Sequence, residues 1–184
     1  MRNFWAVIVV VLSGVSLVSL VGCQDESDSS ALVRQIVSIE SGDECHLCGM
    51  LIMKFPGPKG ELYIKRDPLV KKFCSTRDLL SFYLQPENKT QIDKIYVHDM
   101  AVTPWDHPVD EAFVDARDAW YVIGGHKKGA MGPTLASFKL KQQAERYADD
   151  GGGAVIPFSG ITQALLNKLN VEKVQAQNLP HHHK

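Results

Sequence analysis

The first 23 residues constrain this chain most. Met1-Arg2-Asn3 gives a positive start, Phe4 to Val21 carries no charge, and small residues lead into Leu20-Val21-Gly22-Cys23. A short basic start, an apolar stretch and small residues at a cleavage point make up a secretory targeting segment. Residues 1–22 are therefore expected to be removed, and everything after them to fold outside the cytoplasm. An uncleaved transmembrane anchor has enough apolar length to compete, and it leads to the same compartment.

A cysteine directly behind the cleavage point resembles a bacterial lipoprotein signal, in which Cys23 takes the lipid and becomes the new N-terminus. Gln24 behind it favours outer-membrane sorting on the same pattern. Cleavage leaves about 160 residues, enough for one compact domain or two small similar units. The formal charge is −1, and loss of Arg2 makes it one unit more negative. With no long basic run, the chain lacks the electrostatic footprint that nucleic acid requires. Once Cys23 carries lipid, Cys45, Cys48 and Cys74 remain. In an oxidising compartment an odd number of thiols leaves one unpaired, which needs a reason such as metal binding.

Residues 23–42 begin with the polar run Gln24-Asp25-Glu26-Ser27-Asp28-Ser29-Ser30 and read as a lipidated N-terminus with a flexible tether. Residues 43–170 carry the folded pattern, which is α+β and occurs twice, as two similar small ββαβ units over about 43–100 and 112–158. In the first, the apolar run Cys48 to Met53, the turn Phe55-Pro56-Gly57-Pro58-Lys59-Gly60 and the alternating Glu61 to Lys65 suggest a hairpin. Ser75-Thr76-Arg77-Asp78 has the form of a helix N-cap ahead of Leu79, Leu80, Phe82, Tyr83 and Leu84, and Ile92 to His98 follows as a strand. The second unit has strand-like Phe113-Val114 and Ala119 to Ile123, a glycine-rich loop Gly124 to Pro133, and a strand from Thr134 to Phe138. A helix from Lys139 to Asp150 with Gly151 as its cap follows, then a closing strand Gly153 to Phe158. A C-terminal helix with Ile161, Leu165 and Leu169 on one face ends the domain, and residues 171–184 form a disordered tail. His181-His182-His183 in that tail offers ligands for a borderline metal, but a loose polar end is the more ordinary reading of so short a tract.

Chemistry concentrates in Glu44-Cys45-His46-Leu47-Cys48-Gly49-Met50. Two thiols separated by two residues can converge on one ion, and a thioether two positions later adds a soft neutral ligand, a set that selects copper(I) over harder ions. Covalent haem fails, because Gly49 stands where histidine must follow the second cysteine. Structural zinc needs four ligands; Cys74 and Asp78 in Phe73-Cys74-Ser75-Thr76-Arg77-Asp78 would complete three sulfurs and a carboxylate. A thioredoxin-like dithiol and a plain Cys45–Cys48 disulfide also remain open. Of the methionines, Met131 lies in Gly129-Ala130-Met131-Gly132-Pro133, a glycine-rich loop where packing gives little reason for it, and it is read as a ligand from the second unit. Met53 reads as core. Met100, His46, His98 and His126 are candidates of lower weight. No Ser-His-Asp order, paired catalytic carboxylates or phosphate-binding glycine loop rises above chance, so no enzyme is expected.

These stretches resemble the NosL family, the copper chaperones of nitrous oxide reductase assembly. The likeness is carried by Cys48-Gly49-Met50 with Phe55 to Gly60, by Tyr96-Val97-His98-Asp99-Met100 with Trp105-Asp106, and by Phe113-Val114-Asp115-Ala116 with Ala119-Trp120-Tyr121-Val122. Gly129-Ala130-Met131-Gly132 and Gly151-Gly152-Gly153 complete it. The resemblance implies a periplasm-facing lipoprotein of two small α+β units that binds one copper(I). It implies Cys48 and Met131 as ligands, with Met50 next and then Cys45. It also implies delivery to the copper-sulfide centre of the apo-form of nitrous oxide reductase, with the ABC transporter complex NosDFY as a further partner.

Overall fold

The computed structural model describes residues 34–169; the targeting segment, Cys23, and the tail with its three histidines lie outside them. Strands β1 (Gly60–Ile64), β2 (Lys71–Phe73), β3 (Ile92–His98) and β4 (Phe113–Asp115) form one antiparallel sheet in the order β2-β1-β3-β4. Strand β5 (Trp120–Ile123) lies between β8 (Ala136–Phe138) and β9 (Ala154–Pro157) in a second sheet, and β6 (Lys128–Gly129) pairs with β7 (Gly132–Pro133) as a small hairpin. In both larger sheets the strand that comes first in sequence is flanked by the next strand on one side and, after a helix, by the third on the other. The architecture is α+β.

Alternation along β1 decides what each face of the first sheet meets. Leu62 points with Ile95 and Val97 of β3 into the main core, where all three are fully buried. Helix α1 (Thr76–Tyr83) packs there through Leu79, Leu80 and Tyr83. Gly60 allows that approach, since a Cβ at this position would sit 2.9 Å from Leu79 Cδ2. The N-cap is the expected one: Ser75 Oγ accepts the backbone N–H of Asp78 at 3.1 Å. Helix α2 (Pro86–Lys89) is a single turn before β3.

The opposite face of β1 and β3 is polar, and the segment 34–40 is bonded along it. Tyr63 and Tyr96 hydroxyls donate to the carbonyls of Gln35 and Arg34, each at 2.7 Å. Glu61 Oε2 accepts the N–H of Val37 at 3.1 Å, and Asp110 accepts that of Ile39. Arg34 itself donates to Asp93 and to the carbonyls of Ile64 and Asp67. The tether expected up to residue 42 is thus shorter, because residues 34–40 have bonding partners on the sheet. Under this segment, Glu61 and His98 are both fully buried. Burial pushes the Glu61 carboxyl up to about 7 and the His98 imidazole down to about 3. His98 Nδ1 accepts the Lys59 N–H at 3.0 Å, and its ring stacks on Phe113.

Five expectations about the elements need correction. Cys48 to Met53 is not a strand: Gly49 turns the chain with a φ of 71°, Glu44 and Leu51 make one isolated bridge, and Ile52–Lys54 is a 3-10 turn. The hairpin partner of β1 is β2, reached through residues 65–70. Phe113-Val114 belongs to the first sheet, because β4 pairs with β3 rather than with β5. Met53 is 46 % exposed and is not core. Helix α3 (Lys141–Gly151) ends one residue later than expected, with Gly152 as its cap at a φ of 74°. Residues 163–169 are helical, with Leu166 rather than Leu165 buried beside Ile161 and Leu169.

Candidate metal centre

Three pieces of chain bring four ligand atoms together. The Cys45–Cys48 turn is closed by the Gly49 N–H to the Cys45 carbonyl (2.8 Å) and by the Cys45 N–H to the Met50 carbonyl (2.9 Å). The His46 N–H donates to the Lys72 carbonyl at 2.8 Å, which ties this turn to β2, the edge strand. Cys74 follows β2 directly, and Asp78 sits in the first turn of α1, so the same N-cap that starts the helix fixes the spacing of these two residues. The Sγ atoms of Cys45, Cys48 and Cys74 and a carboxylate oxygen of Asp78 all lie within 4.8 Å of one another. Cys48 Sγ is 3.6 Å from Cys74 Sγ, and Asp78 Oδ2 is 3.1 Å from Cys74 Sγ and 3.9 Å from Cys45 Sγ. Cys45, Cys74 and Asp78 are buried; Cys48 is exposed.

These distances suit one ion. Metal–sulfur bonds of about 2.3 Å and a metal–oxygen bond of about 2.1 Å at tetrahedral angles place sulfurs roughly 3.8 Å apart and a sulfur and an oxygen roughly 3.6 Å apart. Electrostatics also favour a cation. A hydrogen bond from Cys74 pulls the Cys45 thiol well below the usual range, against the burial that raises it. The same contact, with burial and the Asp78 carboxylate, drives Cys74 far up. Burial raises the Cys48 thiol as well. Lys59, only 3 % exposed, lies behind the cluster and donates through Nζ to the carbonyls of Phe55, Pro56 and Cys74. Burial brings its ammonium down to about 8.

Of the candidates read from sequence, Cys45 and Cys48 converge here. Met50 adjoins them, half-buried, with its carbonyl bonded to Cys45. Met131, also half-buried, is carried on the β6–β7 hairpin, and that hairpin is fastened to the first turn of α1. Arg77 Nη2 donates to the Met131 carbonyl and Nη1 to that of Pro133, both at 3.0 Å, while Thr76 and Thr134 hydroxyls meet at 3.1 Å. Arg77 immediately precedes Asp78, so one helical turn holds both the carboxylate and the methionine-bearing loop.

The remaining candidates sit elsewhere. His46 turns its ring edge to Phe73 and Phe82. His126 bonds the Gly151 carbonyl at 3.2 Å and stacks on Tyr147, and Met100 packs in the smaller core with Val122 and Phe138. Cys74 and Asp78, which the sequence offered only as completing a zinc site, are full members of the cluster. The signal for them was the Ser75 N-cap, which places Cys74 one residue before the cap and Asp78 in the first turn.

The NosL family model matches residues 36–166 of the chain. The chain is 46% identical over 149 residues to the copper-binding lipoprotein NosL of Stutzerimonas stutzeri, spanning 81% of this chain and 77% of that protein. It is 30% identical over 159 residues to the copper-binding lipoprotein NosL of Achromobacter cycloclastes, spanning 85% and 81% respectively. The crystal structure of the copper chaperone NosL from Shewanella denitrificans matches with a TM-score of 0.70 at 54% identity, covering 71% of this chain and 97% of that one.

Proposed function

The chain belongs to the NosL family, and from that premise we propose that it is a periplasmic copper(I) metallochaperone, not an enzyme, which delivers its metal for assembly of the copper-sulfide centre of nitrous oxide reductase. The observation that carries this reading is the convergence of three sulfurs on one point with one of them, Cys48, open to solvent. Thiolate sulfur selects copper(I), and the thioethers of Met131 and Met50 are the soft neutral donors proposed to complete or exchange with the set. Buried Cys45 and Cys74 form the retaining side of the site. Cys48 forms the side at which an acceptor's ligands displace the protein's own, so transfer need not wait for a free ion. The names of the relatives, copper-binding lipoprotein and copper chaperone, agree with this. The partners proposed are the apo-reductase and the NosDFY transporter complex, with the chain held at the membrane, on the outer-membrane side, by a lipid on Cys23.

A second reading has its own support. Three sulfurs and a buried carboxylate at near-tetrahedral spacing also satisfy the closed four-ligand rule of structural zinc. Anaerobic copper(I) titration against a competing chelator separates the two. The parent is expected to bind one copper(I) and Cys48→Ser to bind it at least tenfold more weakly. A Cys48→Ser variant as tight as the parent, or a parent that ignores copper(I) yet holds zinc one to one, overturns the proposal.

A further inference from the structure

The cluster contains three thiols, and they differ in two respects that matter for oxidation: which one an outside reagent can reach, and which one is in contact with it. Cys48 is exposed, whereas Cys45 and Cys74 are 2 % and 0 % exposed. The Cys74 sulfur lies 3.6 Å from that of Cys48, 26 residues on in the chain. Cys45 is held in a turn closed by backbone bonds to Gly49 and Met50.

From this arrangement we propose that the metal centre is also a thiol-modification site, in which Cys48 is the entry sulfur, Cys74 the resolving sulfur, and a Cys48–Cys74 disulfide the product. With a low-molecular-weight disulfide as oxidant, Cys48 attacks one of its sulfurs, forms a mixed disulfide and releases one thiol. Cys74 then attacks Cys48 Sγ, forming the internal bond and expelling the second thiol, which takes the proton that Cys74 loses. Two protein thiols are oxidised, one external disulfide is reduced to two thiols, and Cys45 stays a thiol. Access and the choice of the sulfur attacked are two of the factors that set such exchange, and both favour this order. For a protein folded outside the cytoplasm the consequence is that the empty site closes itself by joining two of its three sulfurs, while a bound ion occupies the same sulfurs and blocks entry. This last step rests on the metallochaperone reading; the disulfide itself does not.

The test uses the full chain, reduced and metal-free, incubated with glutathione disulfide, then denatured, alkylated and mapped by mass spectrometry. Among the three cluster cysteines, only Cys45 is expected to take the alkyl label, with Cys48 and Cys74 joined. Cys74→Ser should stall with one glutathione on Cys48, and Cys45→Ser should still form the Cys48–Cys74 bond. A Cys45–Cys48 link in the parent, a Cys74→Ser variant that closes a disulfide as fast as the parent, or a Cys45→Ser variant that forms none overturns the proposal. A parallel reaction with the copper(I)-loaded chain should run at least tenfold more slowly. An equal rate there, in a chain separately shown to retain copper(I), removes the protective role of the metal and leaves the mapped disulfide to stand or fall on the metal-free arm. Failure to bind copper(I) at all refutes the metallochaperone reading instead.

Discussion

Replacing Glu61 with glutamine removes a carboxylate that the fold buries on the polar face of the first sheet while keeping an oxygen to accept the Val37 N–H. Desolvation raises this carboxyl from 4.5 to about 7, opposed by the Val37 bond and the attraction of Lys72 and aided by repulsion from Asp110 and Asp43. A folded-state pKa above the unfolded one means that the native protein binds the extra proton. The stability this gives is fully present below pH about 4.5 and is lost as pH rises to about 7. A gap of about 2.5 pH units at about 1.4 kcal/mol per unit sets a ceiling of about 3.5 kcal/mol. His98 slopes the other way: depressed from 6.5 to about 3 by burial and by Lys59, it contributes stability above 6.5 that is lost as pH falls. The parent curve is therefore flattened between the two, and only the difference between parent and variant isolates Glu61. Urea unfolding of reduced, metal-free protein at several pH values should show Glu61→Gln gaining on the parent by roughly 1–3 kcal/mol between pH about 4.5 and 7.5. A difference that stays constant across that range refutes the reasoning.

Arg77→Ala removes two donors to the carbonyls of Met131 and Pro133 from a residue that is 5 % exposed. It should cost about 2–4 kcal/mol in chemical denaturation and, with Met131 released from the first turn of α1, weaken copper(I) binding about tenfold in chelator competition. Gly60→Ala forces a Cβ against Leu79, which neighbours Asp78 on α1. A loss of about 1–3 kcal/mol in the same assay is expected, with copper(I) binding weakened because the carboxylate moves with its helix. Cys23→Ser should shift the chain from the membrane fraction to the soluble periplasmic fraction, as read by fractionation and detergent partition.

Where the sequence was legible, local chemistry and the final contacts agreed. The Ser75 N-cap and the spacing of α3 each reflect bonds made within a few residues. What it hid depended on distant pairing. Strand β2 is three residues long and two of them are lysines, which suits an exposed sheet edge but leaves only Phe73 as a buried signal. Phe113-Val114 looked like the start of a second unit because nothing local reveals that β3, not β5, is its partner. Cys48 to Met53 read as a strand by its apolar content, yet Gly49 at positive φ turns it into the loop that holds Cys45 and Cys48 and leaves Met53 in solvent. Cys74 was visible as a thiol, but its contact with Cys48 is made across 26 residues and had no local trace.

The account stands on Cys45, Cys48 and Cys74 being the atoms that touch copper. Copper K-edge X-ray absorption on the anaerobically loaded chain reads those neighbours directly. A cuprous edge with a shell of two or three sulfurs at about 2.3 Å, as metal–thiolate bonds run, and loss of sulfur from that shell in Cys48→Ser is the predicted result. A first shell of nitrogen or oxygen, or a sulfur shell unchanged when Cys48 is removed, would contradict it.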